Sequence, residues 1–179
     1  YVASADRAKS IWPEATLQIW GHDHDGAYRQ LPLDNPLIAF MLLMTPWGPT
    51  LWTHNVLMFG AVASVWAYNK LGDILTAIAR ILMLIPAMHY VDDYGAVETS
   101  QLAESSFHHF RSLNEVLGWI RKPSKAQEPK AKHKMQGVFV EFADNKVIVS
   151  PCKKRVRKLL AWVTKIRQKQ WLPAEEAKT

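Results

Sequence analysis

Residues 87–98, AMHYVDDYGAVE, set two short alternating runs on either side of a doubled aspartate. Runs of this length with period two fit strands, and so short a break between them makes a β-hairpin. The chain must then build antiparallel sheet, because only antiparallel neighbours are joined so tightly. Hairpin turns take aspartate readily, since its carboxylate bonds to nearby backbone and the residue tolerates the left-handed region. A second strand candidate, LQIWGHDH at 17–24, puts Leu17, Ile19 and Gly21 on one face and Asp23 at the end of that face, with Asp25 just beyond. If the two strands are neighbours, Asp23 meets Asp92. Clustered carboxylates repel unless a cation joins them. Magnesium is the natural cation, since it takes one or two carboxylates together with water and substrate phosphates. Two such ions suit in-line phosphoryl or nucleotidyl transfer. A plain turn and a metal site both remain open on these residues alone.

The rest of the chain supplies the context. Residues 1–14 are short of pattern, with a break at Trp12-Pro13. DGAYRQLPLDNP reads as a helical turn and loop stopped by Pro32 and Pro36, and LIAFMLLM at 37–44 as an apolar strand. TPWGPTLW is a turn leading into a second strand or loop. From Ala61 to Leu84 the pattern is helical, in one piece or in two broken near Gly72-Asp73, and Pro86 ends it. Along it Val62 and Trp66, or Trp66 and Lys70, are i,i+4 neighbours. Residues 101–117 form a helix with apolar positions Leu102, Phe107, Phe110, Leu113 and Leu117, stopped by Gly118. RKPSKAQEPKAKHK is basic and poorly patterned; MQGVFVEF at 135–142 and KVIV read as strands around a turn at Asp144-Asn145. Ser150-Pro151 makes an N-cap and N1 pair for a basic amphipathic helix with Val156, Leu159, Leu160, Val163 and Ile166 in one stripe. This order has few short crossovers and indicates an α+β domain, a mostly antiparallel sheet with helices on one side.

At 179 residues and 49% apolar, the chain can bury one sizeable core. Its first residue is Tyr1, so a fragment or processed product is expected, and no secretory leader is evident. The run at 74–88 is too short to span a bilayer and contains Arg80. The single Cys152 excludes an internal disulfide framework and suits a reducing, intracellular compartment, cytoplasm or nucleus. Residues 1–120 carry six basic and eleven acidic side chains, net −5; residues 121–179 carry sixteen and five, net +11. An acidic front and basic back suit metal binding in one place and a polyanion in another, although a solvated basic tail has the same composition. His22 and His24 flank Asp23 on a shared strand face and raise a zinc alternative, but the other histidines show no ligand spacing.

YVDD at 90–93, DHDGAY at 23–28 with its lead residues, and FG with a following serine in LMFGAVASVWAYNK at 57–70 together resemble a reverse transcriptase of retrotransposon or retroviral type, over roughly residues 15–170. The resemblance implies a polymerase palm-like antiparallel sheet with helices packed on one face, palm with partial fingers over 1–150, and the start of the thumb over 151–179. It implies RNA-directed DNA polymerase activity with two Mg²⁺ ions, Mn²⁺ being a possible substitute. By that likeness Asp23 and Asp92 are the principal metal ligands, Asp93 is the third acidic group, and the backbone carbonyl of His24 adds a ligand. Tyr28 matches the residue that rejects a ribose 2′-hydroxyl, and Phe59 and Gly60 line the nucleotide pocket. Lys125, in LGWIRKPSKAQ at 117–127, matches the lysine near the pyrophosphate leaving group. MQGVFVEF resembles the strands that grip the primer end. The implied partners are an RNA or DNA template-primer duplex and dNTPs, with no membrane.

There are departures from the family pattern. Met58 replaces a usual proline, and Gly26 an acidic residue found in some members. Only 22 residues precede Asp23, so upstream fingers strands, further thumb and a ribonuclease H domain are expected from a parent polyprotein. Two other functions stay open: a catalytically inactive or domesticated palm-fold remnant that binds nucleic acid, and a membrane-surface binder using the basic helix.

Overall fold

The alternating segments around the aspartates pair as their periodicity requires. The computed structural model describes residues 1–135, 137–143 and 146–169. The chain divides into two compact units, one from Tyr1 to Ala131 and one beginning at Lys132. The first runs α1 (Val2–Ile11), β1 (Leu17–Asp23), β2 (Phe40–Thr45), β3 (Gly48–Thr53), α2 (Val62–Leu82), β4 (Met88–Tyr90), β5 (Asp93–Thr99), α3 (Ser100–Val116) and β6 (Gln127–Lys130). Short 3₁₀ turns lie at Ala27–Gln30, Pro36–Ile38 and Pro123–Lys125. The second unit runs β7 (Lys132–Met135), β8 (Val138–Ala143), β9 (Lys146–Pro151) and α4 (Lys153–Lys169).

The first unit is built on a four-stranded sheet in the order β4-β5-β1-β6, with every neighbouring pair antiparallel. β1 and β5 pair without a slip from Leu17↔Thr99 to Asp23↔Asp93. Trp20, Tyr94 and Ala96 turn to one face and meet Leu75 and Ala79 of α2 and Ala103, Phe107 and Phe110 of α3. Trp20 is fully buried, with its ring 5.4 Å from that of Phe110. Each such large side chain contributes roughly 1.5–3 kcal/mol by leaving water.

The expectation of helices on one side needs correction. α2 and α3 share one face, but α1 lies against the other. Tyr1 reaches Gly95, and Ala5 is fully buried. The expected patternless start is this helix, and the only residue it fully buries is an alanine, which leaves little apolar signal. α2 is one continuous helix through Gly72-Asp73. Gly72 is there to admit a neighbour, since a Cβ would lie 2.6 Å from the ring of His89. Arg80 in α2 turns its guanidinium to the Ala87 carbonyl at 2.6 Å. No helix among the described residues is long and apolar enough to cross a membrane.

β2 and β3 form a separate two-stranded hairpin with largely exposed side chains. The basic stretch expected to lack pattern supplies β6 and β7. The division between the compact units falls at 131/132, because β7, β8 and β9 pair with one another in their own sheet. Ser150 and Pro151 do not cap α4. They pair with Phe139 and Val138 as the end of β9, and the helix begins two residues later. The turn expected at Asp144-Asn145 and the stretch 170–179 lie outside the described residues.

Candidate functional site

Antiparallel register decides which carboxylates meet. Asp23, the last residue of β1, is directly opposite Asp93, the first of β5, so both project from the same face. Asp92 precedes Asp93 in the two-residue turn between the paired Tyr90 and Asp93. Its carbonyl accepts the His24 amide at 3.1 Å. The other turn residue, Val91, has φ of 54°, a left-handed conformation that a β-branched side chain rarely adopts. Such strain costs on the order of 1–3 kcal/mol and persists only where the surroundings hold it. The imidazole of His89 provides part of that hold. It stacks on Tyr94 and lies 3.3 Å from the Val91 carbonyl and 3.1 Å from the Asp73 carboxylate.

Like charges directly opposite destabilise a ladder. Burial pushes the Asp93 carboxyl above the usual range, and the charges of Asp92 and Asp23 push it further. Lys125 relieves part of the repulsion: its Nζ donates to Asp23 Oδ2 at 2.6 Å. That bond holds the ammonium above its ordinary value. Lys125 arrives from far along the chain because its loop is bonded to the end of β1. Lys122 N–H donates to the Asp23 carbonyl and Asp25 N–H to the Ile120 carbonyl, while Gln30 Nε2 bonds the Asp25 and Ile120 carbonyls.

The turn at Ala27–Gln30 starts from Gly26 at φ 72° and carries Tyr28 into a buried position. Its ring packs edge-on against Phe59 at 4.9 Å and Tyr68 at 5.5 Å. This aromatic cluster packs against Val91, the turn residue next to Asp92, and burial and then the Asp92 charge raise the Tyr28 hydroxyl pKa. Phe59 is exposed, with the Arg29 guanidinium over its ring at 5.6 Å. Gly60 follows at φ 87°, with nothing beyond its chain neighbours within 4 Å of where a Cβ would stand. The sequence-derived residues Asp23, Asp92, Asp93 and Lys125 therefore gather at one sheet end, with Tyr28 and Phe59 beside them.

His24 is 1% exposed, and both ring nitrogens are bonded at 2.6 Å, Nδ1 with the Tyr68 hydroxyl and Nε2 with Asn114 Oδ1. Asn114 Nδ2 donates to the Phe110 carbonyl, which fixes the amide and leaves Oδ1 as an acceptor. Nε2 must then carry the proton and Nδ1 accept from Tyr68. Burial takes the imidazole down to about 4. His22 is also buried, stacked on Phe107, with its nitrogens engaged by the Phe107 carbonyl and Arg121, and burial takes it to about 4. The zinc alternative fails here, because protein groups occupy both rings inside the core. Sequence reading missed Tyr68 and Asn114. The available signal was an asparagine on the same helical stripe as Phe107 and Phe110.

The donor set at the sheet end is carboxylate oxygen alone, already drawing one ammonium, which fits a hard cation held by one or two carboxylates. Among the described residues no group of three or more His, Cys, Asp or Glu side chains is arranged to hold a metal ion.

No protein-family model and no curated protein matches the chain. A solved structure of the foamy viral protease-reverse transcriptase in complex with RNA/DNA hybrid is similar in fold, with a TM-score of 0.60 at 15% sequence identity. The match covers 80% of this chain and 18% of that one, so the chain spans under a fifth of that protein's length. At this identity the likeness concerns the fold: mixed α and β, antiparallel sheets, helices packed nearby.

Proposed function

We propose that the first unit is the palm-like core of an RNA-directed DNA polymerase, and that the chain acts on a template-primer duplex and dNTPs. The observation that carries this is the register that sets Asp23 opposite Asp93, with Asp92 in the adjoining turn and Lys125 on Asp23. The fold likeness to the foamy viral protein supports it. Asp23, Asp92 and Asp93, with the His24 carbonyl, would hold two Mg²⁺ ions, or Mn²⁺ in their place. When bound, these ions lower the charge barrier between an attacking hydroxyl and a phosphate. The reaction joins the primer 3′-oxygen to the α-phosphorus of a dNTP and releases pyrophosphate. Tyr28, fixed between Phe59 and Tyr68, leaves no volume for a 2′-hydroxyl. Phe59 and Gly60 offer the nucleotide an exposed ring and an open backbone. Lys125 is 54% exposed on its side chain and free to turn from Asp23 to the departing pyrophosphate as a donor. The basic α4 supplies sequence-independent contact to phosphates.

A second reading has its own observation. Because no three acidic side chains converge as a metal group among the described residues, a catalytically silent palm-fold remnant that binds nucleic acid accounts for the same fold. Primer extension on an RNA template with dNTPs and Mg²⁺ separates the two, using the wild-type chain and Asp92→Asn. Extension lost on substitution supports the polymerase. Duplex binding without extension in either chain supports the remnant.

A further inference from the structure

The ladder between β1 and β5 ends where its electrostatics are worst. Asp23 and Asp93 repel across the last pair, and strand ends fray most cheaply. Past that pair, the backbone bond from His24 N–H to the Asp92 carbonyl, 3.1 Å, still ties β1 to the turn. The side chain of the same residue runs the other way, into the core. There it bonds Tyr68 on α2 and Asn114 on α3, stacks on Trp119 at 4.8 Å and lies 4.5 Å from the ring of Tyr94 on β5. One imidazole thus joins the end of β1 to two helices and a neighbouring strand, directly beneath the carboxylates.

We infer that the His24 side chain is the positioning residue of this site, holding the end of β1 and the Val91-Asp92 turn together so that Asp23 and Asp92 keep a cation-binding separation. This rests on the reading of the carboxylates as a cation site. The His24 imidazole touches no reacting atom; it acts through its own backbone, through Asp23, to which that backbone is bonded in the chain, and through the Asp92 carbonyl. The neutral ring serves this role because it donates at one nitrogen and accepts at the other. An aliphatic side chain of similar volume fills the space but leaves Tyr68 and Asn114 without that partner. Groups behind metal ligands typically change affinity by roughly 10–100-fold when altered.

The test uses the full chain, with Tyr68→Phe, which removes one hydroxyl and keeps the ring, and His24→Leu, which removes both bonds. Amide hydrogen exchange is followed by NMR at His24, with Trp20 and Ala96, a facing pair of the same hydrogen-bonded type in the middle of the ladder, as references. Mn²⁺ uptake is followed by water-proton relaxation. The expected result is His24 amide exchange faster by about tenfold in Tyr68→Phe, the factor a lost hydrogen bond gives, with Trp20 and Ala96 unchanged. Mn²⁺ affinity should weaken by roughly tenfold or more. A His24 amide unmoved in Tyr68→Phe, or exchange that rises evenly along β1 and β5, overturns the positioning role and leaves an ordinary core histidine. A wild-type chain that takes up no Mn²⁺ removes the cation reading instead; the His24 amide then decides by itself whether the ring holds the turn.

Discussion

Two glycines face each other in the β1–β5 ladder, Gly21 and Gly95, two residues from the opposed aspartates. They should respond oppositely to alanine. A Cβ at Gly95 would lie 2.5 Å from the Trp20 carbonyl oxygen and 2.8 Å from the Tyr1 hydroxyl. A Cβ at Gly21 would meet nothing closer than the Tyr94 carbonyl at 3.4 Å. Tyr1 can swing aside, but the Trp20 carbonyl moves only with β1. Reaching the 3.4 Å of an ordinary contact requires the strands to part by about 0.9 Å locally. Overpacking of this kind costs roughly 1–3 kcal/mol. Stretching one or two ladder bonds adds about 1 kcal/mol, and losing a glycine returns roughly 0.5–1 kcal/mol. Gly95→Ala should therefore destabilise by about 2 kcal/mol, a fall in Tm of roughly 4–8 °C for a chain of this size. Gly21→Ala should be neutral or stabilising by up to about 0.5 kcal/mol. Urea and thermal unfolding of both variants are the assay. Equal effects, or a tolerated Gly95→Ala, would refute the reasoning, because the ladder would then be more pliable than its geometry implies.

Gly72→Ala carries a comparable sign reversal. Alone it should destabilise α2, because the new methyl enters the His89 ring; in a His89→Ala background it should stabilise by about 1 kcal/mol through helix propensity. A double-mutant cycle in urea checks both signs. Glu98 is buried, and burial raises its carboxyl above the ordinary glutamate value despite the hydrogen bond from the Ser106 hydroxyl. A raised folded-state pKa gives stability that is complete below the unfolded value and lost as pH rises through the folded one. Glu98→Gln, which keeps an acceptor for Ser106, should match wild type in mild acid and exceed it at neutral pH; urea midpoints at the two pH values read the difference.

The parts of the fold that were legible in sequence are those written in apolar alternation and charge. The MHYVDDYGAV hairpin, β1 and the approach of Asp23 to the doubled aspartate follow from period two and from where the charges stand. The helix faces were less legible. α2 buries Ser64, Tyr68, Gly72, Leu75, Thr76 and Ala79, while Val62 and Trp66 face outward. α3 buries Ala103, Ser106 and Asn114 beside Phe107 and Phe110, and Leu102 is exposed. Helices that lie close to a sheet choose small residues at the contact, so a search for bulk hydrophobicity finds the wrong stripe. β6 and β7, in QEPK and KHKM, have no apolar alternation at all. Their pairing comes from backbone bonds at sheet edges, where charged side chains are an advantage.

The ion pair at the sheet end bears on the choice between polymerase and remnant. Its two members differ sharply in burial: the Asp23 side chain is 7% exposed and that of Lys125 54%. A half-exposed ammonium on a flexible stem contributes little net stability, because water screens it and ordering the stem costs entropy. The carboxylate, by contrast, is buried on a backbone fixed by the β1–β5 ladder and by the loop bonds of Lys122 and Asp25. A pair kept for stability alone would gain by giving way to well-packed apolar side chains of similar volume. Here the negative charge is held rigidly and its positive partner loosely, an arrangement that allows one cation to be exchanged for another without disturbing the sheet. The strain at Val91 belongs to the same arrangement, since it turns Asp92 back toward β1 at a cost that a purely structural hairpin avoids by placing glycine there.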